Sequence, residues 1–283
     1  MVYYLLLLCA PFVCCCQSVF QKQYTTKHER PNVILFSALT SLIALCFFFL
    51  TSGFELTFDV KLLPYSLGFA VCYASAWVGT VLAVQYGSMA ISSLIVSFSL
   101  VFPTVYGIML GEAVTPAIII GAALLFAAML LVNLKPGKKE TFSVKWFVCV
   151  MVAFLGNGVC SICSNMQKRT LGDAYTHEFM IIALAAAFLL LMSYVFMTSK
   201  NVVKELKICL PYAAGNGIAN AIDNFLILTI IGNIPNTVLY PTNSALNMIL
   251  MFLLSFIVYK ERFSKMQYVG YALGVVSIVL LNI

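Results

Sequence analysis

Polar side chains recur at helical intervals inside stretches of sequence that are otherwise apolar. Asn216, Asn220, Asp223 and Asn224 fall on one face of a helix. Hydrocarbon offers such groups no partners, and an ionisable group retained there is by default a candidate for a substrate or proton pathway. We therefore expect Asp223 to bind a substrate amine or to exchange a coupling proton, with Asn216 and Asn220 as further substrate contacts. The open alternative is an interhelical hydrogen-bonding node.

Two further sets of neutral polar residues share helical faces in other apolar stretches. Their hydroxyls and amides can donate to or accept from a polar substrate. Ser, Asn and Tyr also join membrane helices to one another, so helix packing is the alternative for both sets. The sets are Tyr240, Asn243 and Asn247, and Asn157, Ser161 and Ser164.

An aromatic set lies nearer the N-terminus. Tyr73, Trp77 and Thr80 share a helical face, and aromatic rings can hold apolar or cationic substrates. Ordinary aromatic packing is the alternative, because Phe and Tyr are abundant throughout the chain. We include Tyr73 and Trp77 among the candidate substrate-binding residues.

The sequence offers little for covalent chemistry. His28 and His177 stand apart from other metal-ligand candidates, and neither a Ser-His-Asp set nor paired carboxylates occur. The pair Cys160 and Cys163 has metal-like spacing but no second pair, so it predicts packing. Because the sequence contains no GxxxxGK[ST] phosphate loop, we do not expect ATP hydrolysis by this chain to drive transport directly. We expect no enzyme activity, no metal and no cofactor.

Composition places the whole chain in a membrane. Of its 283 residues, 62% are hydrophobic and 9% are charged, whereas a soluble domain has about 25% charged residues. The net charge of +6 comes from Lys and Arg in loops between apolar stretches, so we expect no nucleic-acid partner. The expected partners are the lipid bilayer and a small-molecule substrate.

Ten apolar stretches are long enough to cross a bilayer, since about 20 apolar residues suffice. The first lacks the charged start and cleavage site of a secretory signal, so it is kept as a span. Short turns at 87–89 and 232–236 predict two antiparallel hairpins. The predicted spans are 2–20, 33–50, 62–86, 90–110, 116–134, 144–166, 179–197, 208–231, 237–259 and 266–283.

Loop charge predicts the orientation. Thirteen of the sixteen Lys and Arg fall on one side of the predicted spans and only Lys61, Lys168 and Arg169 on the other. The positive-inside rule then places both termini outside the cytoplasm. We expect a multi-pass protein of the cell membrane, of the bacterial cytoplasmic type.

The chain repeats itself. The segment 110–133 aligns with 259–282, matching Glu112 to Glu261 and Gly121 to Gly270, and Leu63-Pro64-Tyr65 matches Leu210-Pro211-Tyr212 at nearly the same offset. This predicts an all-α membrane protein of two five-helix halves, 1–140 and 141–283, forming one transport domain. Because five is odd, the second half enters the membrane in the opposite sense, giving an inverted repeat.

The duplicated Glu and the Gly nine residues later resemble the drug/metabolite transporter superfamily, in its EamA-type ten-helix branch. The resemblance covers essentially the whole chain. It implies a bundle around a central cavity and substrates that include amino acids, other small metabolites and organic cations, often moved outward. Many such transporters are expected to keep both termini in the cytoplasm, which departs from the orientation that the loop charges predict.

These observations predict a secondary transporter, an exporter of small amino-acid-like or other nitrogenous metabolites, working by alternating access. An efflux carrier for lipophilic organic cations is the alternative within transport, and it would rely on the aromatic set. A membrane-embedded enzyme or lipid-handling protein is a third hypothesis, which should show paired catalytic groups near an interface. The substrate, coupling ion and oligomeric state are left open.

Overall fold

The computed structural model describes residues 2–27, 31–86, 92, 95–133, 143–199, 201–258, 260 and 263–283, and within these ranges the chain is helical with no strand. Short 3-10 turns occur at Val60–Leu62, Phe98–Leu100 and Asp173–Tyr175. The α-helices are α1 Val2–Lys27, α2 Val33–Thr51, α3 Leu63–Tyr86, α4 Val101–Met109, α5 Pro116–Asn133, α6 Val144–Leu171, α7 Thr176–Thr198, α8 Val202–Ile230, α9 Asn236–Ile257 and α10 Lys265–Leu281.

Within the described ranges, six helical segments are long and apolar enough to cross a membrane, and shorter apolar helices cover 95–109, 116–132 and 265–281. Large apolar side chains such as Met109 and Met197, which are 79% and 84% exposed, cover the outside of the bundle. Contact with the hydrocarbon of a lipid bilayer is favourable for such a surface, whereas contact with water is not. The chain is therefore a multi-pass membrane protein. The six segments are Val2–Thr25, Val33–Thr51, Val60–Thr80, Val144–Leu171, Asp173–Thr198 and Asn236–Leu254.

Local sequence signals fix several helix ends. The Asn32 side chain accepts from the backbone N–H of Leu35 at 3.0 Å and caps α2, and Ser143 caps α6 in the same way. Ser264 and Gln267 form a reciprocal capping box at the start of α10. α6 ends at Gly172, whose φ of +71° suits a residue without a Cβ.

Helices from the two halves of the sequence pack against each other. α3 lies along α6, α8 packs on both α1 and α2, α7 packs on α2 and α3, and α5 lies along α10. The approach of α3 to α6 is close: a Cβ added at Gly156 would stand 2.7 Å from the carbonyl oxygen of Cys72. Only glycine permits that separation of the two backbones.

One predicted hairpin differs from the structure. α8 and α9 are joined by the short turn 231–235, but they do not lie side by side, because α1 packs against both of them. The two helices therefore diverge from their shared turn, and side chains of α1 reach the polar face of α8. The other predicted hairpin, at 87–89, lies outside the described residues.

Candidate functional site

The polar face of α8 contacts two helices from the first half of the sequence. Asn216 is buried, and its Nδ2 donates to Thr40 Oγ1 on α2 at 3.0 Å. Asn220 and Asp223 are half-buried and turn toward α1. Asn216 thus forms an interhelical hydrogen bond, while Asn220 and Asp223 belong to a separate polar cluster.

Gln17 of α1 joins Asn220 to Asp223. Its Oε1 accepts from Asn220 Nδ2 at 3.2 Å, and its Nε2 donates to Asp223 Oδ2 at 3.3 Å. Asn224 extends the chain of amides by donating to Asn220 Oδ1 at 3.1 Å. The amide dipoles therefore run along the cluster and end at the carboxylate. We call Gln17, Asn220, Asp223 and Asn224 the amide–acid cluster.

The polar face of α6 reaches α9 through a residue that the sequence analysis passed over. Asn157 and Ser161 bond to backbone carbonyls of their own helix. Asn165, one turn further on, donates from Nδ2 to Ser161 O at 2.8 Å and to Tyr240 OH on α9 at 2.6 Å. The Asn165 amide is thus fixed in orientation, with its Oδ1 turned away from both partners.

Five amide oxygens on α6 and α9 are buried and have no hydrogen-bond partner within the described residues: Asn165 Oδ1, Gln167 Oε1, Asn236 Oδ1, Asn243 Oδ1 and Asn247 Oδ1. Asn243 lies nearly one turn after Tyr240 on α9, and Asn247 lies a further turn along. A buried acceptor without a donor is destabilising by roughly 1–3 kcal/mol. Such oxygens suit a ligand or solvent that brings N–H or O–H groups.

Asn165, Asp223 and Asn243 lie at a similar depth in the helical bundle. The α6 end and the α9 start are at the same end of the bundle, because Arg169 and Thr237 both contact Glu112, and the α8 end joins α9 through a short turn. At 1.5 Å per residue, Asn165, Asp223 and Asn243 each lie about 10 Å from those helix ends. Asn220 and Asn247 lie further from the same helix ends, at about 15–17 Å, so the amide–acid cluster and the unpaired amide oxygens share this depth only in part.

The aromatic set of α3 packs mainly with other rings. Phe69 stacks on Tyr73 with ring centroids 5.8 Å apart, Tyr73 meets Trp77 edge-on at 6.4 Å, and Phe69 meets Phe179 of α7 edge-on at 5.6 Å. Thr80 bonds to the Ala76 carbonyl of its own helix. None of the three hydrogen bonds of the amide–acid cluster involves these rings, so the set forms a separate aromatic wall, Phe69, Tyr73 and Trp77.

Cys160 and Cys163 face α3. Cys160 Sγ donates to the Phe69 carbonyl oxygen at 3.5 Å, and Cys163 Sγ would lie 3.3 Å from a Cβ placed on Gly68. Both thiols thus fill the contact between α3 and α6, which agrees with the packing role predicted for them.

Glu112 closes one end of the bundle. Its Oε1 accepts from Arg169 Nη2 at 3.0 Å, and its Oε2 accepts from the backbone N–H of Thr237 at 2.9 Å, in the first turn of α9. The carboxylate therefore caps the start of α9 and also joins α4, α6 and α9. Its sequence counterpart Glu261 lies outside the described residues.

The structure thus brings Asn220 and Asp223 together, and places Tyr240 beside the polar face of α6. Asn216 bonds instead to Thr40, and Tyr73 and Trp77 make their ring contacts along α3. Gln17 and Asn165 were missed, although each carried a signal: Gln17 is the first amide in the first apolar stretch, and Asn165 continues the four-residue spacing of Asn157 and Ser161.

No protein-family model matches the chain, and no curated protein matches it. A solved structure described as the crystal structure of a protein is similar to it, with a TM-score of 0.78 and 16% sequence identity. The alignment covers 100% of this chain and 99% of that chain. At this identity the likeness shows the fold alone.

Proposed function

We propose that the chain is a secondary transporter, and specifically an exporter, of small amino-acid-like or other nitrogenous metabolites. The observation that carries the proposal is the amide–acid cluster: one carboxylate and three amides inside a membrane bundle, made from helices of both halves. Polar groups of this kind are expensive in a bilayer and are usually retained for transport. The unpaired oxygens of Asn165 and Asn243 supply further acceptors at the depth of Asp223.

We further propose ten spans in two inverted halves, 1–140 and 141–283. In that arrangement α1 corresponds to α6, α2 to α7 and α3 to α8. The pairing of α3 with α6 then has its counterpart in the pairing of α8 with α1, and the pairing of α2 with α8 in that of α7 with α3. This reciprocity supports the repeat and, with it, the resemblance to the EamA-type drug/metabolite transporters.

Alternating access gives the cluster its role. A carboxylate about 10 Å from the helix ends can receive a substrate ammonium or a proton from one side of the membrane and release it on the other. Asp223 is therefore the proposed coupling residue, with Asn220 beside it as a substrate contact. No step of this cycle makes or breaks a covalent bond in the substrate.

The test is transport by the purified full chain in proteoliposomes, with and without an imposed pH gradient. Labelled amino acids, organic cations and sugars are offered to the wild type, to Asp223→Asn and to Glu55→Gln. Glu55 is an exposed acid in the loop after α2 and serves as the control. We expect gradient-sensitive transport of a nitrogenous compound by the wild type and the control, reduced at least ten-fold in Asp223→Asn.

Transport retained by Asp223→Asn would make the carboxylate structural and would remove the coupling role. Failure of the folded wild type to move any compound in the panel would contradict the transporter proposal itself. Size-exclusion behaviour and melting temperature establish that each variant is folded before transport is compared.

An efflux carrier for lipophilic organic cations is the second candidate, and the aromatic wall favours it. Stacked and edge-on rings hold cations and apolar groups over their faces. In this case Trp77→Ala would lower transport of a labelled lipophilic cation more than Asp223→Asn does, and amino acids would not compete with that cation.

A further inference from the structure

Gln17 uses both ends of its carboxamide in the amide–acid cluster. The carbonyl oxygen accepts from Asn220, and the amide nitrogen donates to Asp223. These two partners are three residues apart on one face of α8, and Gln17 lies 206 residues from Asp223 in the sequence. A side chain of α1 therefore presents one acceptor and one donor, side by side, to a donor and an acceptor on α8.

These two hydrogen bonds are long. They measure 3.2 and 3.3 Å, whereas N–H···O bonds in proteins cluster near 2.9–3.0 Å. The interhelical bonds of Asn216 to Thr40 and of Asn165 to Tyr240 are shorter, at 3.0 and 2.6 Å, whereas that of Asn282 to Thr242 is 3.2 Å. Gln17 and Asp223 are also only half-buried, unlike Asn216. Gln17 is thus held at Asn220 and Asp223 by two long hydrogen bonds and by no other side-chain bond within the amide–acid cluster.

A neutral amide is a modest partner for a carboxylate. A hydrogen bond from an ammonium group to the same carboxylate oxygen is shorter and roughly twice as strong. A hydrogen bond from an amide N–H to a carboxylate is stronger in the same way than one to a neutral amide oxygen. A ligand that carries an ammonium and a carboxylate on one carbon atom can donate to Asp223 with the first group and accept from Asn220 with the second. The head group of an α-amino acid has that arrangement.

We propose that Gln17 occupies the substrate's place in the unloaded protein, and that the ammonium and carboxylate of an amino-acid head group displace it from Asp223 and Asn220. This inference rests on the proposed transport function and specifies the substrate class. Gln17 acts as an internal competitor, so the free site keeps its carboxylate paired. Gln17 links α1 to α8 through these two hydrogen bonds when the site is empty, and the link is lost when the site is filled.

The proposal predicts that removing Gln17 tightens binding, the reverse of what removing a substrate contact does. Binding of labelled L-alanine to the purified full chain would be measured for the wild type, Gln17→Met, Gln17→Ala and Gln21→Ala. Gln17→Met retains the length of the side chain without its polar atoms. Gln21, one turn further along α1, takes no part in the hydrogen bonds of the amide–acid cluster and is the control.

We expect the dissociation constant for L-alanine to fall about ten-fold in both Gln17 variants, as for one lost competing hydrogen bond to a charged group. The melting temperature without ligand should fall in the same variants and recover on adding L-alanine. The dissociation constant for choline, which has no N–H group, should be unchanged by either substitution of Gln17. Gln21→Ala should behave as the wild type does.

Weaker or unchanged binding of L-alanine in the Gln17 variants would overturn the proposal and make Gln17 a substrate contact or a scaffold. Absence of L-alanine binding by every variant, or equal gains for choline, would overturn it as well. If the wild type transports an organic cation but binds no amino acid, the role proposed for Gln17 is contradicted while the proposal of a transporter is retained.

Discussion

Arg169 at the end of α6 donates to Glu112 in the turn after α4, with 3.0 Å between Nη2 and Oε1. The same carboxylate accepts from Thr237 N–H at the start of α9. Arg169 and Thr237 belong to the second half of the sequence and Glu112 to the first. In the proposed alternating-access cycle the halves would move against each other, and this contact would break and re-form.

The two functions of Glu112 can be separated by substitution. Glu112→Gln keeps an oxygen that can accept from Thr237 N–H but removes the ion pair, which is partly exposed and contributes at most about 1 kcal/mol. Glu112→Ala also removes the cap, at a further loss of about 1 kcal/mol. We therefore expect the melting temperature in detergent micelles to fall in the order wild type, Glu112→Gln, Glu112→Ala. Equal melting temperatures for the two variants would show that the cap contributes nothing.

The bond from Asn165 to Tyr240 joins two helices whose backbones do not pack closely. Tyr240→Phe removes only the hydroxyl, and interhelical bonds in membranes contribute about 1 kcal/mol. We expect a loss of stability of that size, measured by reversible unfolding in mixed micelles. Tyr268→Phe, an exposed ring on α10, is the matched control. Once Asn165 is replaced by Ala, Tyr240→Phe should have little further effect; additive losses would mean that the two groups are not coupled.

Hydropathy and periodicity predicted the helical membrane class and the shared face of Asn220 and Asp223. They could not predict that Gln17 completes the cluster, because its partners lie 203 and 206 residues away. Local patterns report which face is polar, and tertiary packing decides what meets it. The divergence of α8 and α9 has the same origin, since nothing near their turn indicates that α1 packs on both.

Gly217 allows α8 to pack against α2. A Cβ at this position would stand 2.7 Å from Ile43 Cβ and 3.0 Å from the Thr40 carbonyl oxygen. Gly217→Ala should therefore destabilise the bundle by about 1–3 kcal/mol through overpacking. It should also displace Thr40 from Asn216, since Thr40 lies on the same turn of α2.

Ile43→Gly supplies the control for that prediction, because it removes the Cβ and Cγ2 atoms that the new methyl group meets. Alone it should destabilise, as large-to-small substitutions do. Combined with Gly217→Ala it should destabilise less than the sum of the two single losses. Strict additivity in reversible unfolding would show that the side chain of Ile43 does not determine the packing at Gly217.

Asn32 ties the halves together at the opposite end from Glu112. Its Oδ1 caps α2, while its Nδ2 donates to Ser199 Oγ and to Glu205 Oε2, each at 2.7 Å. Asn32→Asp keeps the cap but removes both donors and sets a negative charge against Glu205. We expect it to destabilise the protein by about 1–3 kcal/mol, because Glu205 loses a donor. Asn32→Ala should lose the cap in addition.

Exchanging the two groups tests the contact directly. In the double variant Asn32→Asp with Glu205→Gln, the amide lies on α8 and the carboxylate caps α2, so a donor and an acceptor again face each other across the halves. We expect this variant to regain most of the melting temperature lost in Asn32→Asp. If Asn32→Asp alone melts as the wild type does, the cap is the whole contribution of Asn32 and the bond to Glu205 adds no stability. If Asn32→Asp melts lower and the double variant does not recover, the loss does not come from this pair.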